Sequence, residues 1–237
     1  MKIKILQWNI WYKENIDNII TELKRIDADI VCLQELCVTA SDFSNVEKIK
    51  DLYPYVYYEI ADTFSDNRSQ GNAILSKHPF LETFSKFVQE QSENKNDYSK
   101  EGRIYLQAKI NIEGSFISVG TTHLSYTHKF EETELKDFEI DKLLSYLIPN
   151  KDKFIFLGDL NTTKGSKYIK KISNHLRYYN TQNTWTTKPF SYMGFEEQNL
   201  NWKLDYVFTS KDLVCNNVSL IETIFSDHLP IIVELDI

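Results

Sequence analysis

Polar side chains able to ligate a cation or exchange a proton recur at one kind of position, directly after an apolar run. Asn9 follows the run at 3–8, Glu35 the run at 30–34, and His123 the run at 117–122. Asp159 and Asn161 follow 154–158, Asp205 lies in the run 203–208, and Asp227 and His228 precede the run at 231–235. A rigid strand end holds a reacting group well, and neighbouring strand ends in one sheet open on a common cleft. Carboxylates from Glu35, Asp159, Asp205 and Asp227 meeting there without a counter-charge would repel one another. A hard divalent cation is the natural occupant. Carboxylate, amide and water oxygens suit Mg²⁺ or Mn²⁺ rather than a closed zinc site.

Taken singly, each position has a plainer reading. Asn9 could close a turn, Asp205 could cap a neighbouring backbone, and His123 could be a hydrogen-bonded core histidine. The turn at 158–161 could be an ordinary Asx turn. Glu35 resists most, because an unpaired carboxylate after an apolar run is costly to bury. The coincidence of all of them outweighs the plain readings. His78, His128 and His175 have no such support and are read as structural or surface residues.

The elements that must position these groups can be read from periodicity. Strand-like runs occupy 2–9, 30–35, 55–60, 72–76, 103–112, 116–123, 154–157, 204–209 and 231–235, rich in β-branched and aromatic residues. Ile16, Ile19, Ile20, Leu23 and Ile26 share one helix face, and Leu135, Phe138, Leu143, Leu144 and Leu147 do much the same before Pro149 stops the second helix. A third, shorter helix is expected over 166–176. The order predicts an α/β (α+β) fold, with sheets and one-sided helices burying each other. The runs at 3–9 and 154–161, both buried and both ending in Asn, hint at two similar halves.

A chain of 237 residues can bury a large core without disulfides or structural metal, and no linker divides it, so one domain over 1–237 is expected. The net charge of −7 argues against non-specific wrapping of a duplex, although a local basic rim or bound cations can reverse the sign of a cleft. Cys32, Cys37 and Cys215 show no metal-binding spacing, and Cys32 reads as a reduced packing residue. Residues 1–8 alternate and lack the apolar core of a secretory leader, so a cytoplasmic location is expected; no run is long enough to span a membrane. The polar stretch 89–102 is expected to be a long exposed loop.

The ordered set Trp8-Asn9, Gln34-Glu35, Gly71-Asn72-Ala73-Ile74-Leu75-Ser76, Gly102-Arg103, Thr122-His123-Leu124, Gly158-Asp159-Leu160-Asn161, Leu204-Asp205-Tyr206 and Ser226-Asp227-His228-Leu229-Pro230 resembles the endonuclease/exonuclease/phosphatase superfamily. The resemblance implies a DNase I-like four-layer sandwich of two packed mixed, largely antiparallel sheets flanked by helices. It implies a divalent-metal-dependent phosphoesterase that cleaves phosphodiesters by direct attack of water. Glu35 would be the principal metal ligand, with Asn9 beside it and Asp227 as a second metal-side ligand. Asp159 would orient or deprotonate the water, and Asn161 would donate to the scissile phosphate. His228, held by Asp205, would contact the phosphate or act as base. His123 would contact the phosphate, with Arg103 and Asn72 supporting substrate binding.

A nuclease acting as a monomer on a nucleic-acid phosphodiester is the first expectation for the substrate. A phosphatase or phosphodiesterase for a small molecule or lipid headgroup is the alternative, and a non-catalytic binding module the third. The aromatic segment 178–202 is read as packing before base stacking. Lys164, Lys167, Lys170 and Lys171 are read as a solvated helix face before a path for a phosphate backbone.

Overall fold

The computed structural model describes residues 1–39, 42, 44–93, 100–150 and 152–237. In chain order the elements are β1 (Lys2–Asn9), α1 (Ile16–Ile26), β2 (Ile30–Thr39), α2 (Ser44–Lys50), β3 (Tyr55–Thr63), β4 (Arg68–Ser76), β5 (Phe80–Gln89), β6 (Arg103–Ile112), β7 (Ser115–His123), α3 (Glu134–Leu147), β8 (Phe154–Asp159), α4 (Lys167–Ser173), β9 (Arg177–Tyr179), β10 (Phe190–Tyr192), β11 (Phe195–Glu197), β12 (Asp205–Thr209), β13 (Cys215–Leu220) and β14 (Ile231–Asp236). Six strands form one sheet in the order β13-β14-β1-β2-β4-β3. Six form a second in the order β5-β6-β7-β8-β12-β9, and β10-β11 is a separate hairpin.

Among the described residues, parallel pairing occurs only between β1 and β2 and between β7 and β8; the other pairs are antiparallel. Read from β13 and from β9, the two sheets therefore match position for position in pairing sense. The central strands β1 and β8 correspond, as the sequence hinted. The sheets pack face to face through Ile3, Ile5, Ile30, Cys32 and Ile74 on one side and Ile104, Leu106, Val119, Ile155, Leu157 and Val207 on the other. Helices α1 and α2 cover the outer face of the first sheet, and α3 and α4 that of the second. The result is the four-layer α–β–β–α sandwich.

Local chemistry explains the helices. Asn15 caps α1 by accepting from Asp17 N, and Lys24 and Arg25 sit in its last turn, where they complement the helix dipole. Asp27 ends α1 at φ 51°. Thr133 caps α3 by accepting from Lys136 N. The buried face of α3 differs from the expectation: Lys136, Glu139, Ile140, Leu143, Leu144 and Leu147 point inward, while Phe138 is 57% exposed.

Several elements escaped the sequence reading for physical reasons. β5 and β13 are edge strands with mixed, largely accessible patterns, so period-2 alternation is weak. α2 has only seven residues. In the 89–102 stretch, Gln89 closes β5 and residues 94–99 lie outside the described residues. The aromatic segment packs as expected: Trp185, Phe195 and Leu204 close on Phe130, with Phe190 and Trp202 against them. Lys167 and Lys171 pair with Asp137 and Asp141, each at 2.8 Å, as befits a solvated helix face.

Candidate active site

The site caps the core between the sheets. Ile3 and Ile5 face that core, and alternation along β1 then brings Gln7 and Asn9 to the same side. The same switch from apolar to polar ends Ile30–Cys32–Gln34 on β2, Ile117–Val119–Thr121–His123 on β7 and Ile155–Leu157–Asp159 on β8. On antiparallel β12 the track runs backward from Val207 to Asp205, opposite Asp159. His123 is opposite Asp159 on the other side. The strand ends can meet because Gly158 lets β7 and β8 approach; a Cβ there would lie 2.5 Å from Thr122 O.

Glu35 reaches the same layer by a bulge. The β2–β4 register shifts between Leu33 and Leu36, and Glu35 adopts φ 60°. A bulge of this kind re-aims one side chain. The Glu35 carboxylate accepts from Asn9 Nδ2 at 2.9 Å and Tyr12 N at 3.0 Å. Asn9 Nδ2 also reaches Asp159 Oδ2 at 3.0 Å, so one amide spans both carboxylates, while Asn9 Oδ1 accepts from Trp11 N. Asp159 Oδ1 accepts from Asn161 N at 2.9 Å, in a turn where Asn161 has φ 45°.

The Ser226–His228 loop is tied to the end of β1. Ser226 Oγ donates to Asn9 O at 2.7 Å and accepts from His228 N at 3.0 Å, while Trp8 Nε1 donates to His228 O at 3.1 Å. His228 Nδ1 lies 2.8 Å from Asp205 Oδ2, leaving Nε2 facing Asp159 Oδ2 at 3.6 Å. Gln7 Nε2 donates to Asp205 Oδ1 at 3.3 Å, and Gln34 Nε2 joins Gln7 Oε1 to Thr121 Oγ1. Asp227 accepts from Trp185 Nε1 at 3.0 Å.

His123 is wedged between donors. Arg103 Nη1 lies 3.2 Å from Nδ1, and Asn161 Nδ2 lies 3.0 Å from Nε2 while also donating to Leu124 O. A guanidinium can only donate. A neutral imidazole has one acceptor nitrogen, so Arg103 at Nδ1 and Asn161 at Nε2 compete to donate to it, and Nε2 also lies 3.5 Å from Asp159 Oδ2. Arg103 also donates to Ser125 Oγ and pairs with Glu101. Asn72 Nδ2 donates to Ile104 O at 2.8 Å. Asn72, Glu35, Arg103 and His123 line one small cleft. A wider groove lies elsewhere, near the starting ends of β7 and β8, and holds none of these groups.

Electrostatics in this layer is dominated by burial. Burial pushes the Asp159 carboxyl up to about 7, with Asp205 adding to the rise and His228, Asn9 and Asn161 opposing it. Burial and then Asp227 raise Glu35, against the bonds from Tyr12 and Asn9. Burial alone would lower His228, but Asp205, Asp159 and Asp227 outweigh it and lift the imidazole to about 10. Burial and Arg103 hold His123 well below its ordinary value, so it is neutral. Burial first and a neighbouring carboxylate second disfavour the charged forms of Asp159 and Glu35, which a bound cation would offset, and oxygen donors make up most of the set. Both features fit a hard divalent cation. Among the described residues, ligand atoms of Asp159, Asp205 and His228 also gather within 4.8 Å. Two of those residues, Asp205 and His228, are already bonded to each other.

The sequence reading missed Gln7, Trp185, Ser125, Lys136 and Glu139. For Gln7 a signal existed, because it occupies a core-facing position on β1. Trp185 was one aromatic among many in its segment.

A four-layer sandwich with acids, amides and histidines crowded at its strand ends is the arrangement of a DNase I-like phosphoesterase. The chain belongs to the Endonuclease/Exonuclease/phosphatase family, which it matches over residues 6–228. It is similar to Sphingomyelinase C of Leptospira interrogans, 24% identical, with 86% of this chain and 41% of that protein covered. The chain thus spans less than half the length of that relative. Its fold is similar to an endonuclease/exonuclease/phosphatase family protein from Leptotrichia buccalis, with TM-score 0.74, 18% identity and coverage of 99% of this chain and 100% of that one. It is also similar to D. rerio TDP2 complexed with single strand DNA product, with TM-score 0.71, 17% identity and coverage of 100% and 99%. No helix among the described residues is long and apolar enough to cross a membrane.

Proposed function

We propose that this chain is a divalent-metal-dependent phosphodiesterase that acts by direct attack of water, and that its substrate is a nucleic-acid strand. The observation that carries the reaction is the Asn9 amide joining Glu35 to Asp159, with the His228–Asp205 pair facing Asp159 from the other side. Glu35 would hold Mg²⁺ or Mn²⁺, with Asn9 and Asp227 beside it; Asn9 would do so by turning its amide oxygen inward. When bound, the cation supplies charge neutralisation for the phosphodiester and the leaving oxygen. Asp159 orients the attacking water and accepts its proton. His228, kept protonated at Nε2 by Asp205, donates to the phosphate, and His123 and Asn161 donate from the opposite side. Arg103 holds His123, and Asn72 shapes the cleft wall. All of these groups come from one chain, so one domain acting as a monomer suffices.

The nucleic-acid reading rests on the rim beside Glu35. Trp11, Tyr12 and Phe64 are half-buried there, with Lys188 4.5 Å from the Trp11 ring and Arg68 5.8 Å from the Tyr12 ring, the two cations paired with Glu14 and Asp66. Aromatic faces interleaved with cations suit stacked bases and their phosphates. The similarity to a sphingomyelinase favours a second reading, a phosphodiester at a lipid headgroup. A panel of single-stranded oligonucleotide, duplex, inositol phosphates and sphingomyelin vesicles in Mg²⁺ separates the two. Cleavage of the single strand is expected, with binding that weakens as salt rises. Cleavage of sphingomyelin alone would overturn the nucleic-acid assignment.

A further inference from the structure

Behind the His123 and Asn161 turns lies a chain of buried charges that the chemistry above does not use. Lys136 and Glu139, one turn apart on α3, are both 0% exposed. Lys136 Nζ donates to Ser125 O and, at 3.1 Å, to Leu160 O. Its other neighbour is Glu139 Oε2 at 3.4 Å. Glu139 in turn accepts from the backbone N and the hydroxyl of Ser125, whose Oγ also accepts from Arg103 Nε. Ser125 is two residues after His123, and Leu160 lies between Asp159 and Asn161. One ammonium group therefore ties together the two strand ends that carry four of the site's polar groups, counting Leu124 O as the acceptor for Asn161.

This placement is expensive for stability alone. A lysine in the first turn of a helix opposes the helix dipole, and a buried ion pair is often replaced by apolar side chains without loss. Apolar side chains could hold α3 on the sheet equally well, whereas only charged groups bond both turns.

We propose that Lys136 and Glu139 are positioning residues: together they lock the 123–125 and 159–161 turns so that His123, Asn161 and Asp159 keep the mutual geometry that the reaction needs. The inference rests on the phosphodiesterase reading. Its effect should therefore fall on kcat and should run through the groups being positioned.

The test compares wild type with Lys136→Met and with the charge-free pair Lys136→Met/Glu139→Gln. The pair keeps an acceptor for Ser125 and avoids stranding one buried charge, so it folds even if the single variant does not. For the pair variant, kcat on bis(p-nitrophenyl) phosphate in Mg²⁺ should fall by ~10–100-fold. KM should stay within about threefold, and the melting temperature should stay within about 5 °C. In an Asn161→Ala background the same pair change should cost at least about threefold less than in wild type, because one of the three positioned groups is already gone. A folded pair variant with wild-type kcat, or a loss that multiplies in full with that of Asn161→Ala, overturns the positioning role. A wild-type protein with no phosphodiesterase activity on any substrate would instead overturn the functional reading, and the role with it.

Discussion

Asp159→Asn is expected to lower turnover by at least ~100-fold while raising the melting temperature of the metal-free protein. The amide keeps the shape and still accepts from Asn161 N through its oxygen, while its NH₂ replaces the acceptor of Asn9 Nδ2, so the Asn9 amide must turn. The introduced amide cannot take a proton from water. The stability gain follows from the environment of the carboxyl, which is fully buried and raised to about 7, above its ordinary 3.8, by burial and by Asp205. A carboxyl whose folded-state value is raised binds more protons folded than unfolded, so stability falls as pH rises from about 4 through 7. The variant escapes that loss. Its thermal advantage in EDTA should be present at pH 8 and gone near pH 4. Equal turnover with folding intact would remove Asp159 from the chemistry. An advantage that grew toward acid pH would contradict the electrostatic account.

The second large effect is expected at the His228–Asp205 pair. Asp205→Asn should cost at least ~100-fold in turnover, because the neutral amide no longer stabilises the imidazolium or fixes its tautomer. The fold should survive, since Gln7 can still bond the amide in the place of the carboxylate. His228→Ala should cost as much or more. Combining the two should add little to His228→Ala, because Asp205 acts through the ring it holds at 2.8 Å. Losses that multiply would show that Asp205 contributes by a route other than His228.

Much of this geometry was legible from the residues because sheet periodicity is strict. The run at 2–9 became β1 and that at 103–112 became β6 with the expected bounds. The strands buried on both faces were those most easily read, and the site was legible because polar residues ended their core-facing tracks. Edges were less legible. β5 exposes most of its length, so little alternation distinguished it from the polar stretch that follows. On α3 the apolar residues misled. Leu135 and Phe138 counted toward a buried stripe, whereas Lys136 and Glu139, which apolar spacing passes over, are wholly buried. Their bonding partners, Ser125 and Leu160, lie in turns elsewhere in the chain. The contact between Trp185 and Asp227 likewise joins residues 42 apart, and no local pattern announces it.

The most direct test of the central claim is hydrolysis of bis(p-nitrophenyl) phosphate by protein stripped of metal, followed as Mg²⁺ or Mn²⁺ is returned and then removed with EDTA. The stripped protein should be at background, the returned cation should restore turnover, and EDTA should abolish it. Glu35→Gln should shift the restoring concentration upward, since it loses the charge expected to hold the cation. Full turnover in EDTA with no added metal would contradict the account.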